Sequence, residues 1–537
     1  MKNIILYILL LLGTLITGCS KSFLDTQPLD KYSNSSLWTS KADADAALTS
    51  CYSGWEDGAN IVYDDCMSDN GIDQFPWEGY ETFASGLSSP SDPGVNKYDY
   101  TTIQRCNWFL DNVDKVPSSS LGDALKDRMK SEARFLRAYK YWVMSQVYGD
   151  VPLVTKNIST DESKTIGKTP KADITDFILK ELTEISAILP VSYTGSDIGR
   201  VTSGAALALK SRIQLFNAQY KDCIATCQQL MQAPYSYDIY QGGYENLFRP
   251  QNGNNIEVIL DVQYLQNDNS QWVLGAMLPN SLGGWSSMAP TQSLVDAYET
   301  KNGLTIDKDP SYNALQPYND RDPRLDASVV RPGQLYMGEY FNPLNAGSAD
   351  LVGNNNASPT GYNFKKYVAN IDDYDGTSYG TDVWNTGGSM ILIRYAEILL
   401  TYAEAKVEDN QIDATVYAAI NKIRQRASVD MPAVTAALYP GQASLRTLVR
   451  RERRIELAGE GLRWYDIQRW KIGAEVLNGE VKGSLKGTVN TTNGALTLTP
   501  NSNYVAGTRT FADKFYLWPI PQKEIDINKN LLPNNGY

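Results

Sequence analysis

The chain contains no histidine in its 537 residues. That removes Ser-His-Asp and Cys-His catalysis, together with every metal site built on imidazole. What survives is carboxylate chemistry, such as the paired acids of glycosidases, and cation sites made of oxygen. Cysteine is scarce as well. With Cys19 set aside, Cys51, Cys66, Cys106, Cys223 and Cys227 remain, an odd number that cannot be fully paired within one molecule, and no CxxC occurs. Cys223 and Cys227 stand four apart on an expected helix, where burial as small hydrophobes is the simpler reading. Pairing among Cys51, Cys66 and Cys106 stays open. Basic residues are outnumbered, 49 against 61 acidic, and the formal net charge of −12 argues against nucleic acid as a partner. No apolar run reaches the roughly 20 residues a bilayer-spanning helix needs.

Tyrosine is abundant, 34 against 12 phenylalanines, and 11 tryptophans join it. Both rings offer a flat apolar face with a polar edge, which suits ligands that are stacked upon and hydrogen-bonded in wet sites. Most are nevertheless expected to fill the core of so long a chain. At the N-terminus Lys2 precedes an apolar run over residues 4–16, broken by Tyr7, Gly13 and Thr14. This run is long enough for the core of a secretory signal and too short to span a membrane. It ends in Leu15-Ile16-Thr17-Gly18-Cys19, which resembles the lipobox of bacterial lipoproteins, with cleavage before Cys19 and acylation of its sulfur. Stable anchoring by lipid requires more than one acyl chain. The expected organisation is a signal peptide over 1–18, a lipid-anchored segment over 19–40, a helical part over 41–233 and a second part over 234–537, packed as one globular unit.

Hydrophobic periodicity predicts helices over 41–55, 98–113, 121–148, 174–188, 203–220 and 223–231. The clearest carries Leu125, Met129, Ala133, Leu136, Tyr139, Val143 and Val147 on one stripe and stops at Gly149 and Pro152. Successive helices of this length suggest antiparallel pairs stacked as in tetratricopeptide repeats. Residues 234–386 change character and are rich in Gly, Asn, Asp, Pro and aromatics, with a short strand at 257–262. A long irregular region inside a compact protein is usually functional. Helices return over 393–408, 414–427 and 445–470, and a short strand is expected at 515–520. The fold class is therefore mostly α: a tetratricopeptide-like helix-pair scaffold with a large loop-rich region and a few short strands. In the last long helix Glu452, Glu456 and Glu460 alternate with Arg450, Arg453, Arg454 and Arg463 at helix-pair spacing, so its arginines are expected to be neutralised locally.

Several segments, in this order, resemble the SusD/RagB family. They are Ile103-Gln104-Arg105-Cys106-Asn107; Ala133-Arg134-Phe135-Leu136-Arg137-Ala138-Tyr139 running to Tyr148-Gly149-Asp150-Val151-Pro152-Leu153-Val154; and Pro290-Thr291 with Leu294-Val295-Asp296-Ala297-Tyr298-Glu299. Arg394-Tyr395-Ala396-Glu397 and Ile423-Arg424-Gln425-Arg426-Ala427 follow. Then come Arg451-Glu452-Arg453-Arg454-Ile455-Glu456-Leu457, Gly461-Leu462-Arg463-Trp464-Tyr465-Asp466-Ile467 and Trp518-Pro519-Ile520-Pro521. The chain ends in Leu532-Pro533-Asn534-Asn535-Gly536-Tyr537 where the family often has a Gln-Asn-Pro-Gly-Tyr-like sequence, and Ser20-Lys21-Ser22 replaces the acids that often follow the anchoring cysteine. The resemblance implies a lipid-anchored protein of the outer membrane, facing outward. It would bind oligosaccharide without cleaving it and deliver it to a SusC-like, TonB-dependent transporter. The tetratricopeptide-like face would dock the barrel and the loops would hold the glycan. Peptide in place of glycan, as in the RagB branch, is the alternative, and a scaffold that touches no nutrient is a third.

The recurring segments describe a scaffold, so the site is sought in the loops. Residues 63–80 offer Asp69, Asn70, Asp73, Trp77 and Tyr80, acids and amides for sugar hydroxyls and rings for stacking. A second cluster is Trp272 with Gly283-Gly284-Trp285, and a third is Tyr374, Tyr379, Trp384 and Asn385. The expected ligand-binding residues are Asp69, Asn70, Asp73, Trp77, Tyr80, Trp285 and Trp384, with Cys19 for lipidation and no catalytic residue. A glycosidase would draw on Asp64, Asp65, Asp69, Asp73 and Glu78. No cofactor is expected. Structural calcium is a weaker idea, because the oxygen-rich runs 64–73 and 372–382 lack the offsets of an EF-hand loop.

Overall fold

The computed structural model describes residues 37–370, 372 and 382–537. The expected signal peptide, Cys19, Tyr374 and Tyr379 lie outside them. The first helix, α1 (Lys41–Tyr52), starts where Ser40 accepts from the Asp43 N–H and the Asp43 carboxylate answers with the Ser40 N–H, a reciprocal cap. Next come α2 (Thr101–Asn112), α3 (Asp123–Tyr148), α4 (Lys171–Ser186), α5 (Ser203–Phe216) and α6 (Tyr220–Leu230). Each packs on the one before it. In α3 the stripe is interior from Met129 to Val147, with only Leu125 half-buried, and the helix ends at Gly149. Ala205, Ala206 and Ala208 on α5 are fully buried and let its neighbours approach closely.

The stack does not stop at α6. Helix α7 (Tyr395–Glu408) packs directly on α6, although the whole irregular middle lies between them in sequence, and α8 (Ala414–Arg424) and α9 (Gln442–Glu456) pack on α7 in turn. One continuous hydrophobic core runs from Leu37 to Leu531. The chain is thus mostly helical, a solenoid of helix pairs with a loop-rich insertion. Among the described residues no helix is long and apolar enough to cross a membrane.

Three expectations about elements are corrected. The helix expected over 445–470 is two, α9 and α10 (Arg463–Trp470), because Gly459 and Gly461 adopt φ of 73° and 72°. A Cβ on Gly461 would come within 2.7 Å of the Ile61 carbonyl oxygen. The strand expected at 515–520 is a 3₁₀ turn over Asp513–Tyr516 followed by extended chain, pinned by the Trp518 N–H donating to the Val147 oxygen. Residues between 470 and 515, for which the sequence predicts no element, form the longest strand pair among the described residues, β5 (Gly479–Val489) with β6 (Leu496–Arg509). The other strands used below are β1 (Gly71–Asp73), β2 (Val258–Val262), β3 (Met288–Pro290) and β4 (Met390–Arg394). β2 pairs with β4, which feeds α7.

The charges of α9 are neutralised, but at long range rather than along the helix. Arg394, at the end of β4, meets Glu257 (2.8 Å), Glu456 (2.7 Å) and Glu460 (2.8 Å). Arg324 meets Glu452 (3.1 Å) and Glu456 (3.0 Å), Arg426 meets Glu257 (3.0 Å), and Arg424 bridges Glu452 and Glu299. Arg453 turns to Asp466 (2.9 Å). All of these groups are buried. Burial alone would raise the Glu456 carboxyl; Arg394, Arg426 and Arg324 outweigh it and hold the group well below the usual range. The reason is steric as much as electrostatic. Glu452, Glu456 and Glu460 all leave water, so their partners come from whichever elements pack against them.

Candidate functional site

The site grows from one short strand pair. β1 and β3 run antiparallel with Ile72 opposite Ala289 and Asp73 opposite Met288, and the Gln74 N–H extends the ladder to the Ser287 oxygen (2.8 Å). Beyond this end the two chains part. On one side Phe75 leads into a 3₁₀ turn over Pro76–Glu78, with proline at its first position, where a missing N–H costs nothing. On the other lie Gly283, Gly284 and Trp285. Gly283 takes a φ of 78°, and a Cβ on Gly284 would strike the Leu278 oxygen at 2.1 Å. The glycines therefore permit a turn so tight that Trp285 is lifted from the surface.

Pairing brings the rings together. Phe75 and Trp77 stack at 4.5 Å with their planes 13° apart, and the Phe75 ring meets Trp285 edge-on at 6.4 Å. Trp285 in turn lies 4.4 Å from Trp384 at 49°. Trp384 arrives from a third segment: its N–H donates to the Asp382 carboxylate (2.9 Å), and Gln271 and Thr386 form a backbone bridge behind it. Its ring lies against Gly275, where a Cβ would fall 2.4 Å from the indole. The result is a run of four aromatic rings. Trp77 is 75% exposed, Trp285 is 40% exposed, and Phe75 and Trp384 are half-buried.

A wall of amides faces the first two rings. Gln74, Phe75 and Trp77 border an open groove of about 560 Å³ whose other side is the chain from Gly353 through Asn354, Asn355 and Asn356 to Ala357. That loop is held in place from behind. The Asn280 amide donates to the Ala349 (2.8 Å) and Asn355 (3.1 Å) oxygens, and the Ser281 N–H donates to Asp350 (2.9 Å). Just past Trp77, Glu78 accepts from the buried Tyr63 hydroxyl (2.6 Å), and Trp272, 41% exposed, packs 6.2 Å from Tyr63. Rings for stacking beside amides that both donate and accept are the chemistry of polyhydroxylated ligands.

The structure thus brings Trp77, Trp285 and Trp384 to one surface. It takes the other four expected ligand residues into the interior, and that expectation is corrected. Asp69 is buried between Arg463 (2.7 Å) and Arg454 (3.0 Å); burial would raise its carboxyl, but the two guanidiniums bring it down to about 2. The Asn70 amide donates to Asp65 (3.1 Å) and its oxygen accepts from Arg454 (2.8 Å). Asp73 accepts from the Tyr80 N–H (3.1 Å), and burial, with Glu81 and Glu78 nearby, pushes its carboxyl up to about 8. Tyr80 is buried, stacks on Tyr63 at 4.9 Å and donates to Asn60 (3.1 Å).

Other acids of this segment are likewise committed. Asp64 receives Lys97 (2.7 Å), and Asp65 is buried and accepts from the Gly459 N–H. The run 64–73 therefore points toward separate partners rather than a common centre. Among the described residues no group of three or more metal-ligating acids or thiols converges. Sequence reasoning named Gln74 in the 63–80 loop but missed Phe75 and the Asn354–Asn355–Asn356 wall. The three consecutive asparagines were visible in the sequence, but nothing in the sequence placed them opposite Trp77.

A sequence profile of the SusD family matches residues 251–537, and a profile described as starch-binding and associating with the outer membrane matches residues 23–215. A SusD-like carbohydrate-binding protein of Bacteroides fragilis, 33% identical, superposes with a TM-score of 0.83, covering 92% of this chain and 99% of its own. Another SusD-like protein of that organism is 30% identical, with a TM-score of 0.79 over 95% of this chain and 100% of its own. A SusD-like protein of Formosa agariphila aligns at 25% identity over 100% of this chain and 99% of its own length. Matched by the family profile across its C-terminal half, and nearly end to end by a relative 33% identical, the chain belongs to the SusD family.

Proposed function

We propose that this protein binds oligosaccharide on the aromatic run Trp77–Phe75–Trp285–Trp384 and passes it, uncleaved, to a SusC-like TonB-dependent transporter at the outer membrane. The observation that carries the reading is that three separate segments converge to expose these rings beside an amide wall. A protein hides its tryptophans unless something else covers them. Carbohydrate binding by the relative from Bacteroides fragilis supports the choice of ligand. Sugar rings present axial hydrogens on one face, which pack on an indole, while their hydroxyls are matched by amides. Acylated Cys19 would tether the body to the membrane, and the helix stack would form the docking face for the barrel.

The test is calorimetric titration of the mature protein against glycans, with Trp285→Ala and Trp384→Ala beside it. We expect binding, no product, and an affinity loss of about tenfold or more in each variant, on the order of 1.4 kcal/mol. Unchanged affinity in both would remove the site from this face. Release of shorter sugars, lost on carboxylate substitution, would make the protein an enzyme instead.

A further inference from the structure

The face that carries the rings is built from sequence without a single cation. Residues 42–96 hold no Lys or Arg, and neither do 250–300, 332–364 or 367–393. These stretches supply Gln74, Phe75 and Trp77; Trp272 and Trp285; Asn354, Asn355 and Asn356; and Trp384. Among the described residues, those lining the groove include no charged group. The charged residues that these segments place next to the rings in sequence or contact are acids. Glu78 follows Trp77 and accepts from Tyr63 with one carboxylate oxygen, its other oxygen is buried, and burial pushes the carboxyl up. Asp382 is exposed and holds the Trp384 N–H. Exposed Asp268 follows Asn267, whose side chain and backbone bond to Asn385 beside Trp384. Basic residues are not rare in this chain. They are abundant under α9, where arginines and carboxylates are paired, so their absence here belongs to this face.

Carboxylated and sulfated sugars are recognised by Arg and Lys, whose charge-assisted hydrogen bonds offset the lost hydration of the anion. A binding face without such groups, rimmed by acids, leaves an anionic ligand desolvated and repelled. We infer that the ligand of this site is an uncharged oligosaccharide, and that exposed Asp268 and Asp382 discriminate against uronic-acid and sulfated glycans. This rests on the glycan-binding reading above and narrows it.

The experiment titrates the full mature protein with neutral gluco-, galacto-, manno- and xylo-hexasaccharides. Each of the first three is paired with the same backbone oxidised to uronate at C6, and a sulfated galactan hexasaccharide is added. At least one neutral sugar should bind, with its affinity unchanged between 0.05 and 0.5 M salt. Its charged counterpart should bind at least tenfold more weakly. Asn355→Lys, which puts one cation on the groove wall, should shrink that difference several-fold. A uronate or sulfated sugar that binds as well as the neutral one, with affinity falling as salt rises, would overturn the inference while leaving glycan binding intact. A folded protein that binds no sugar of either kind, or only a cationic peptide, would overturn the glycan reading itself.

Discussion

Under α9, Arg324, Arg394, Arg424 and Arg426 leave water only in the company of carboxylates, whereas the face bearing Trp77, Trp285 and Trp384 is assembled from segments that carry no basic residue. The first region is dense in charge and closed to solvent; the second is dense in aromatic rings and open to it. The difference separates what holds this fold from what it leaves open to solvent. These buried ion pairs fix where β4, α8 and α9 meet. Breaking one strands a buried charge, even where the intact pair adds little net stability. The exposed rings do the reverse, since removing one costs the fold little and takes away contact area for a ligand.

This contrast is sharpest where a buried charge is orphaned. Arg394→Ala leaves Glu257, Glu456 and Glu460 short of their shared partner and should cost about 3–5 kcal/mol in urea unfolding. A loss below about 1 kcal/mol would mean that the network relaxes around water. Asp69→Ala, which frees Arg463 and Arg454, should cost on the order of 3 kcal/mol and leave glycan affinity within about twofold in whatever fraction remains folded. A selective loss of binding there would return Asp69 to the site.

A third test follows from Asp73. Its folded carboxyl is raised to about 8 from an ordinary 3.8, so the folded state holds a proton that the unfolded chain releases. The stability this represents is complete below about pH 3.8 and is lost as pH rises through about 8. Between pH 5 and 8 the wild type should lose on the order of 3–4 kcal/mol from this group, and Asp73→Asn should flatten that slope in pH-dependent denaturation. An identical slope would show that Asp73 is ionised when folded.

Smaller effects lie on the exposed side. Trp77→Ala should weaken glycan binding about tenfold, roughly 1.4 kcal/mol, while changing unfolding by less than about 1 kcal/mol, because the ring is 75% exposed and stacks on Phe75. Lys41→Ala, which removes a solvent-exposed pair with Asp45, should move stability by no more than about 0.5 kcal/mol.

Much of the scaffold was legible because helices announce themselves locally. The stripe from Met129 to Val147, the Ser40 cap and the Gly149 stop all act within a few residues of each other, and the structure follows them. Reading failed where the deciding partner was distant. Gly459 and Gly461 break a helix because Ile61 crowds one of them, and Glu452, Glu456 and Glu460 find arginines from other elements before those of their own helix. The loop-borne acids looked like sugar ligands by type. Their burial against Arg463, Lys97 and the Gly459 backbone depends on contacts across most of the chain.

By itself the sequence determined the helical periodicity, the lack of imidazole chemistry, and the placing of aromatic and acidic residues on segments without cations. Those are properties of composition and near-neighbour order. Only the tertiary structure decided which tryptophans share a surface and which acids vanish into ion pairs. A ring or a carboxylate is exposed or buried according to what packs over it: the turn beyond the strand pair β1–β3 leaves Trp285 exposed, and Arg454 of α9 with Arg463 of α10 takes Asp69 into the interior.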